Sequence, residues 1–200
     1  MKTMTKKNRK KEKKMIHNRY EYWFKQSFLN SKQIKDINKY IKKNFDGNEL
    51  PIKANYEDVK KLTTKTIAWR KMKDYLNEVV EYYSYINQDV FGYDVFPLNN
   101  WAHVNYNSYK GKDSEYGWHC DATTQGENCD IKLTILINLS EKKYEGGDLK
   151  IFTGEEFMIP EFKNPGDTVM IKSPTYHKVT PITKGERTTL AIFLRGPKFR

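Results

Sequence analysis

A chain of 200 residues, 38% hydrophobic and 14% aromatic, with 14 Tyr, is long enough to bury one core and too aromatic to be disordered throughout. Two cysteines, Cys120 and Cys129, exclude a disulfide-stapled scaffold and make a reducing, cytoplasmic setting the expectation. No apolar run is long enough to cross a bilayer, and the net charge of +11 is too unevenly spread to mark the whole chain as a nucleic-acid binder.

Residues 1–14 hold eight Lys or Arg against Glu12, which is +7 of the +11 and leaves +4 to the remainder. Residues 1–18 therefore read as a basic, disordered tail, suited either to touching nucleic acid or an acidic partner or simply to solubility. The tail lacks the apolar stretch of a secretory signal. Residues 19–95 read as a helical support region. It opens with an aromatic segment (20–28), and Ser31 is the expected cap of a helix with Ile34, Ile37 and Ile41 at helical spacing. Turn signals follow at Asp46-Gly47 and Pro51. A second helix is expected over 69–89, where Met72, Tyr75, Leu76, Val79, Val80, Tyr83 and Ile86 make one apolar stripe facing a sheet.

From residue 96 the texture is β. Strands are expected over 101–109, 116–121, 131–139, 148–152, 168–171, 177–180 and 187–194, with turns at Gly146-Gly147 and Pro165-Gly166-Asp167. Many short strands without alternating helices predict a sandwich or jelly roll, not a parallel sheet. The fold class is thus mainly β with N-terminal helices (α+β), residues 19–200 forming one domain and 96–200 its β core.

Candidate chemistry centres on Tyr116-Gly117-Trp118-His119-Cys120-Asp121. On a strand, residues two apart share a face, so His119 and Asp121 converge while Cys120 points away. A His-x-Asp pair alone is weak; His177, at the start of a late strand, is the best third ligand. Two imidazoles and one carboxylate form the facial triad of non-haem Fe(II) oxygenases, which leaves coordination positions open. A closed four-ligand shell would suit structural zinc instead. If 2-oxoglutarate chelates the iron, its distal carboxylate needs a buried cation. Arg187 lies on the next predicted strand, its planar fork fits a carboxylate, and Thr189 shares its face and adds a hydroxyl.

The run from His119 to Asp121, then KLTILINLSEKKYEGGDLKIF (132–152) and NPGDTVMIKSPTYHKVTPITKGERTTLAIFLRG (164–196), resembles the prolyl 4-hydroxylase-like branch of Fe(II)/2-oxoglutarate-dependent dioxygenases, nearest to its PKHD-type members. The resemblance covers roughly residues 101–196. It implies a double-stranded β-helix (jelly-roll, cupin-like) core, Fe(2+) on His119, Asp121 and His177, and 2-oxoglutarate on Arg187. It places Tyr109 beside the co-substrate, Tyr116 at a second aromatic position, and Thr134 near the distal carboxylate. It further implies dioxygen as co-substrate and admits ascorbate as an accessory reductant. The implied reaction hydroxylates a substrate C–H, a prolyl or other residue of a peptide or protein, and releases succinate and CO2. A free amino acid or other small molecule is the alternative substrate. Nucleic-acid demethylation is disfavoured, because the run around Arg195 does not match the base-repair pattern.

Blander readings stand beside these. A jelly roll can be a non-catalytic binding or structural module, in which case the triad residues are ordinary polar groups. His17 reads as exposed, and His103 is the fallback third ligand. Cys120 and Cys129 fit no zinc spacing. Gly146-Gly147 is a hairpin turn and not a phosphate loop. Trp101 and Trp118 suit either a substrate mouth or the core.

Overall fold

The structure, a computed structural model, describes residues 20–45, 61–122 and 129–199. The basic tail and the turn signals at Asp46-Gly47 and Pro51 lie outside the described residues. In chain order the elements are β1 (Tyr22–Lys25), α1 (Ser31–Phe45), β2 (Thr63–Ala68), α2 (Trp69–Ile86), β3 (His103–Lys110), β4 (Tyr116–His119), β5 (Asp130–Asn138), β6 (Glu145–Gly146), β7 (Leu149–Phe152), β8 (Glu156–Met158), β9 (Thr168–Lys172), β10 (Tyr176–Val179), β11 (Ile182–Lys184) and β12 (Glu186–Gly196). No helix among them is long and apolar enough to cross a membrane.

The strands form a major sheet in the order β1-β9-β5-β12-β3-β2, a minor sheet β4-β10-β7-β8, and a β11-β6 pair, with antiparallel pairing throughout. This is the double-stranded β-helix expected of the core. Alternation assigns the two faces of the major sheet. Val104, Tyr106, Leu133, Ile135, Ile137, Leu190 and Ile192 face the helices, joining Ile34, Ile37, Ile41, Met72, Leu76, Val79 and Tyr83 in one apolar cluster. The opposite face meets the minor sheet through a second cluster that includes Tyr109, Leu149, Ile151, Val169, Ile171 and Val179. β5 is covered on both faces, so every residue along it but Leu136 is buried.

α1 begins at a different cap from the one expected. Asn30, and not Ser31, accepts the backbone N–H groups of Lys32 and Gln33 at 3.0 Å each, and Gln33 Oε1 accepts Asn30 N–H at 2.9 Å. That reciprocal capping box outcompetes a lone serine one residue later. α2 stays α-helical only to Ile86 and then widens into a π turn, Asn87–Phe91. Gly92 ends it at φ 70°, donating to Asn87 O at 2.6 Å, while the Asn87 side chain bonds both backbone groups of Tyr93. The support region also supplies both edge strands of the major sheet: β1, expected only as an aromatic segment, and β2, which falls between the two expected helices where no strand was expected.

Candidate active site

The minor sheet carries the two histidines. His119 closes β4 and His177 lies on β10, with their Cα atoms in register across the antiparallel pair. Their flanking residues Trp118, Tyr176 and Lys178 occupy the other face, where Lys178 Nζ stands 4.5 Å over the Trp118 ring and Tyr176 is exposed. Just beyond β4, the backbone N–H groups of Asp121 and Ala122 both donate to Ser173 O, at 2.9 and 3.1 Å. Ser173 in turn donates through its hydroxyl to Ile131 O, so the residues that follow β4 are pinned to the strand end that leads into β10.

The three side chains converge. One ligand atom from each of His119, Asp121 and His177 lies within 4.8 Å of the others. His119 Nε2 is 3.9 Å from Asp121 Oδ1, and His177 Nε2 is 3.6 Å from Asp121 Oδ2. Each imidazole is oriented by the backbone: His119 Nδ1 faces Gly117 O at 2.8 Å and His177 Nδ1 faces Thr175 O at 3.0 Å. A carbonyl only accepts, so Nδ1 carries the proton and the Nε2 lone pair points inward, the tautomer a metal ligand needs. The Tyr116 ring stacks on His119 at 3.6 Å and 11°, fixing the plane of that ring.

Thr134 has a different place from the one the resemblance implied. It is fully buried on β5, and its hydroxyl donates to Asp121 Oδ2 at 2.8 Å. It therefore orients the candidate metal ligand and is not aligned with Arg187.

Arg187 is 1% exposed on β12, directly opposite Tyr109 of β3. Its guanidinium carbon sits 4.9 Å from the Tyr109 ring centroid and 5.6 Å from that of Phe162. Its stem runs against Gly147, where a Cβ would collide with Arg187 and Ile182; the positive φ of 62° there also suits glycine. Among the described residues, neither Nε nor Nη1 of Arg187 meets a hydrogen-bond partner. A buried cation left unpaired costs several kcal/mol, on the order set by desolvation. Nε and Nη1 lie on the two different edges of the guanidinium, each shared with Nη2, and a carboxylate fits either edge. Burial pushes the Tyr109 phenol above its ordinary pKa, with the adjacent guanidinium drawing it partly back, so it stays a neutral donor at physiological pH.

One cleft between the sheets joins both groups. It is lined by His119, Asp121 and His177 together with Arg187, Thr189, Tyr109 and Tyr116, and walled by Leu136, Leu149, Val179, Ala191 and Phe193. The donor set suits a divalent first-row metal, and the orphaned guanidinium suits the far carboxylate of a small dianion. Asn105 and Asn107 also line the cleft, held by Thr66 and Thr64 of β2 at 3.1 and 2.8 Å. Sequence reading passed over these two, although counting back in twos from Tyr109 would have found them. His103, the fallback ligand, is exposed at the far end of β3 and plays no part in the cluster. His17 lies outside the described residues.

Residues 104–195 match the 2OG-Fe(II) oxygenase superfamily. Among curated relatives, a PKHD-type hydroxylase of Synechococcus sp. (strain CC9605) is 35% identical over 97 residues, covering 46% of this chain and 41% of the relative. A PKHD-type hydroxylase of Alteromonas mediterranea is 37% identical over 99 residues, covering 46% and 42%. The chain thus spans under half the length of the relatives it matches. Among solved structures, a Pseudomonas putida prolyl-4-hydroxylase superposes with a TM-score of 0.69 at 18% identity, covering 90% of this chain and 94% of the other. The viral collagen prolyl hydroxylase of Paramecium Bursaria Chlorella virus-1 superposes with a TM-score of 0.65 at 15% identity, covering 90% and 99%. At such identities the superpositions establish the jelly-roll fold.

Proposed function

We propose that this chain, whose residues 104–195 match the 2OG-Fe(II) oxygenase superfamily, is a 2-oxoglutarate-dependent hydroxylase acting on a prolyl or other residue of a peptide or protein, with release of succinate and CO2. In this reading His119, Asp121 and His177 hold Fe(II), while Arg187, Thr189 and Tyr109 hold the distal carboxylate of 2-oxoglutarate. When bound, iron with 2-oxoglutarate and dioxygen supplies the oxidising power to place a hydroxyl on an unactivated C–H bond.

The chain's own residues do the rest. The Gly117 and Thr175 carbonyls hold both imidazoles in the ligating tautomer, and Thr134 holds the carboxylate. Arg187, sealed between Tyr109 and Phe162, gives a two-pronged anchor deep in the cleft, so a dianionic co-substrate is bound in one orientation with its other end toward the triad. Leu136, Leu149, Val179 and Ala191 keep the space between anchor and triad apolar and exclude water from the reacting centre. The preference for a peptide substrate rests on the PKHD-type and prolyl hydroxylase relatives.

The observation that carries this reading is the buried Arg187 fork with two unpartnered donors in the same cleft as a two-histidine, one-carboxylate cluster. A non-catalytic jelly roll has no use for either. The decisive measurement is the visible spectrum of anaerobic protein given Fe(II) and then 2-oxoglutarate. A weak charge-transfer band should appear only with both additions, vanish in His177→Ala, and need far more 2-oxoglutarate in Arg187→Ala. Folded, iron-loaded protein without such a band would refute the assignment.

A further inference from the structure

One polar side chain deep in the cleft has no part in the reading above. Asn107 lines the cleft and is 8% exposed. Thr64, Asn107 and Thr189 stand side by side on β2, β3 and β12. On one side of this rung Arg187 faces Tyr109. On the other come Ala191 beside Leu136, and then Phe193 beside Thr134, whose hydroxyl holds Asp121 at 2.8 Å. Rungs that share a face are about 7 Å apart along the strands. Asn107 therefore lies between the carboxylate anchor and the candidate metal cluster.

Thr64 fixes which end of the amide meets the cleft. Its buried hydroxyl, on the edge strand β2, donates to Asn107 Oδ1 at 2.8 Å, an ordinary length for such a bond. β12 lies on the opposite side of β3, so the same bond turns Nδ2 toward the cleft. That nitrogen can donate two hydrogen bonds, and among the described residues no acceptor meets it. Asn105 repeats the pattern one rung farther out, but its partner Thr66 is exposed, so water can serve there. At Asn107 the walls are Leu136, Leu149, Val179 and Ala191. An unpaired donor buried among apolar groups destabilises the fold that holds it. It is offset only when an acceptor enters the cleft.

We propose that Asn107 is a further binding residue for the co-substrate, donating through Nδ2 to its carboxylate at the metal end, and that Thr64 is the positioning residue that keeps the amide turned that way. The proposal rests on the 2-oxoglutarate reading above. A 2-keto acid that chelates a metal uses its keto oxygen and one carboxylate oxygen. The second carboxylate oxygen stays off the metal and needs a donor in an apolar space. Arg187 is committed to the far carboxylate, and Asn107 carries the next N–H donor along the sheet toward the triad. A flipped amide would set Oδ1 against the carboxylate. The direction of the Thr64 bond thus decides between attraction and repulsion.

The test uses the full chain with Fe(II) under anaerobic conditions and needs no turnover. The charge-transfer band is read while each of two keto acids is titrated. 2-Oxoglutarate carries both carboxylates, and 2-oxovalerate is the same chain with a methyl group in place of the far one. Asn107→Ala should weaken both by about tenfold, because both keep the metal-end carboxylate. Arg187→Ala should weaken 2-oxoglutarate alone. Thr64→Val keeps the shape and should weaken both several-fold, Thr64→Ser should restore them, and Thr64→Val added to Asn107→Ala should cost nothing more. Asn107→Asp, similar in shape but without the donor, should bind both most weakly. Mn(II) affinity without any keto acid should stay at the parental value in Asn107→Ala and Thr64→Val. Parental keto-acid affinity in Asn107→Ala, a loss confined to 2-oxoglutarate, or a matching loss of Mn(II) affinity would overturn the assignment of Asn107. Additive losses in the double variant would overturn that of Thr64. A parent protein without the band for either keto acid would remove the 2-oxoglutarate reading itself, whereas a parental band with unaltered variants would sink this inference alone.

Discussion

At 2.8 Å, the hydrogen bond from Thr134 to Asp121 Oδ2 restrains the carboxylate that stands beside two histidines. Such partners of metal ligands typically contribute about 10- to 100-fold to metal affinity or activity. Thr134→Val keeps the shape and removes the donor, so Co(II) or Fe(II) affinity measured by titration should fall by about that factor, and Thr134→Ser should restore most of it. Unchanged affinity in the valine variant would make the hydrogen bond incidental. At this scale the sequence was informative where the chemistry was local. The shared face of Arg187 and Thr189 follows from strand alternation alone, whereas β4 ends at His119, short of the expected 116–121, and Asp121 is brought beside it by the backbone bonds to Ser173. The role of Thr134 did not follow, because the partner of a β5 hydroxyl depends on where the chain beyond β4 crosses over it, and that is set by the pinning to Ser173.

Among the elements, α1 docks through a polar group inside an apolar face. Asn38 is 2% exposed, donates to Leu139 O at 2.9 Å and to Glu141 Oε1 at 3.1 Å, and accepts from Tyr106 OH at 3.0 Å. Asn38→Leu would leave a buried carbonyl and a buried phenol unsatisfied, each at a cost of about 1–3 kcal/mol, which outweighs the added apolar surface. Urea denaturation should show a loss of about 2 kcal/mol or more, with the slope of the transition unchanged. α1 itself was readable from its isoleucine spacing, but Asn38 falls on the same stripe and carries no mark of its partners. The strands followed the same division. β5 and β12 stand out by their Ile- and Leu-rich centres because both lie in the sheet's interior. β1 and β2 are edge strands of four and six residues, one aromatic-rich and half exposed, the other Thr-rich, and only their pairing to β9 and β3 makes them strands.

Across the whole molecule, the layers are tied by buried phenols, and these set an alkaline limit on stability. Tyr83 of α2 donates to Thr168 of β9 at 2.7 Å, Tyr106 of β3 to Asn38 of α1, and Tyr109 lies between the sheets. Burial raises all three pKa values above the ordinary value of about 10, that of Tyr106 to about 12. Their folded-state pKa values lie above the unfolded ones, so the native state keeps protons that the unfolded chain has released. The stabilisation is complete below pH about 10 and is lost as pH rises toward the folded pKa, at up to about 1.4 kcal/mol per pH unit for each such phenol. Unfolding free energy should therefore decline between pH 10 and 12. The decline should be shallower in Tyr106→Phe, whose lower starting stability, from the lost bond to Asn38, shifts the level of the curve and not its slope. Exposed lysines titrating in the same window act equally on both proteins, so the difference in slope isolates the phenol. Parallel curves would mean that Tyr106 meets water in the native state and that the joint between α1 and the major sheet is looser than its hydrogen bonds imply.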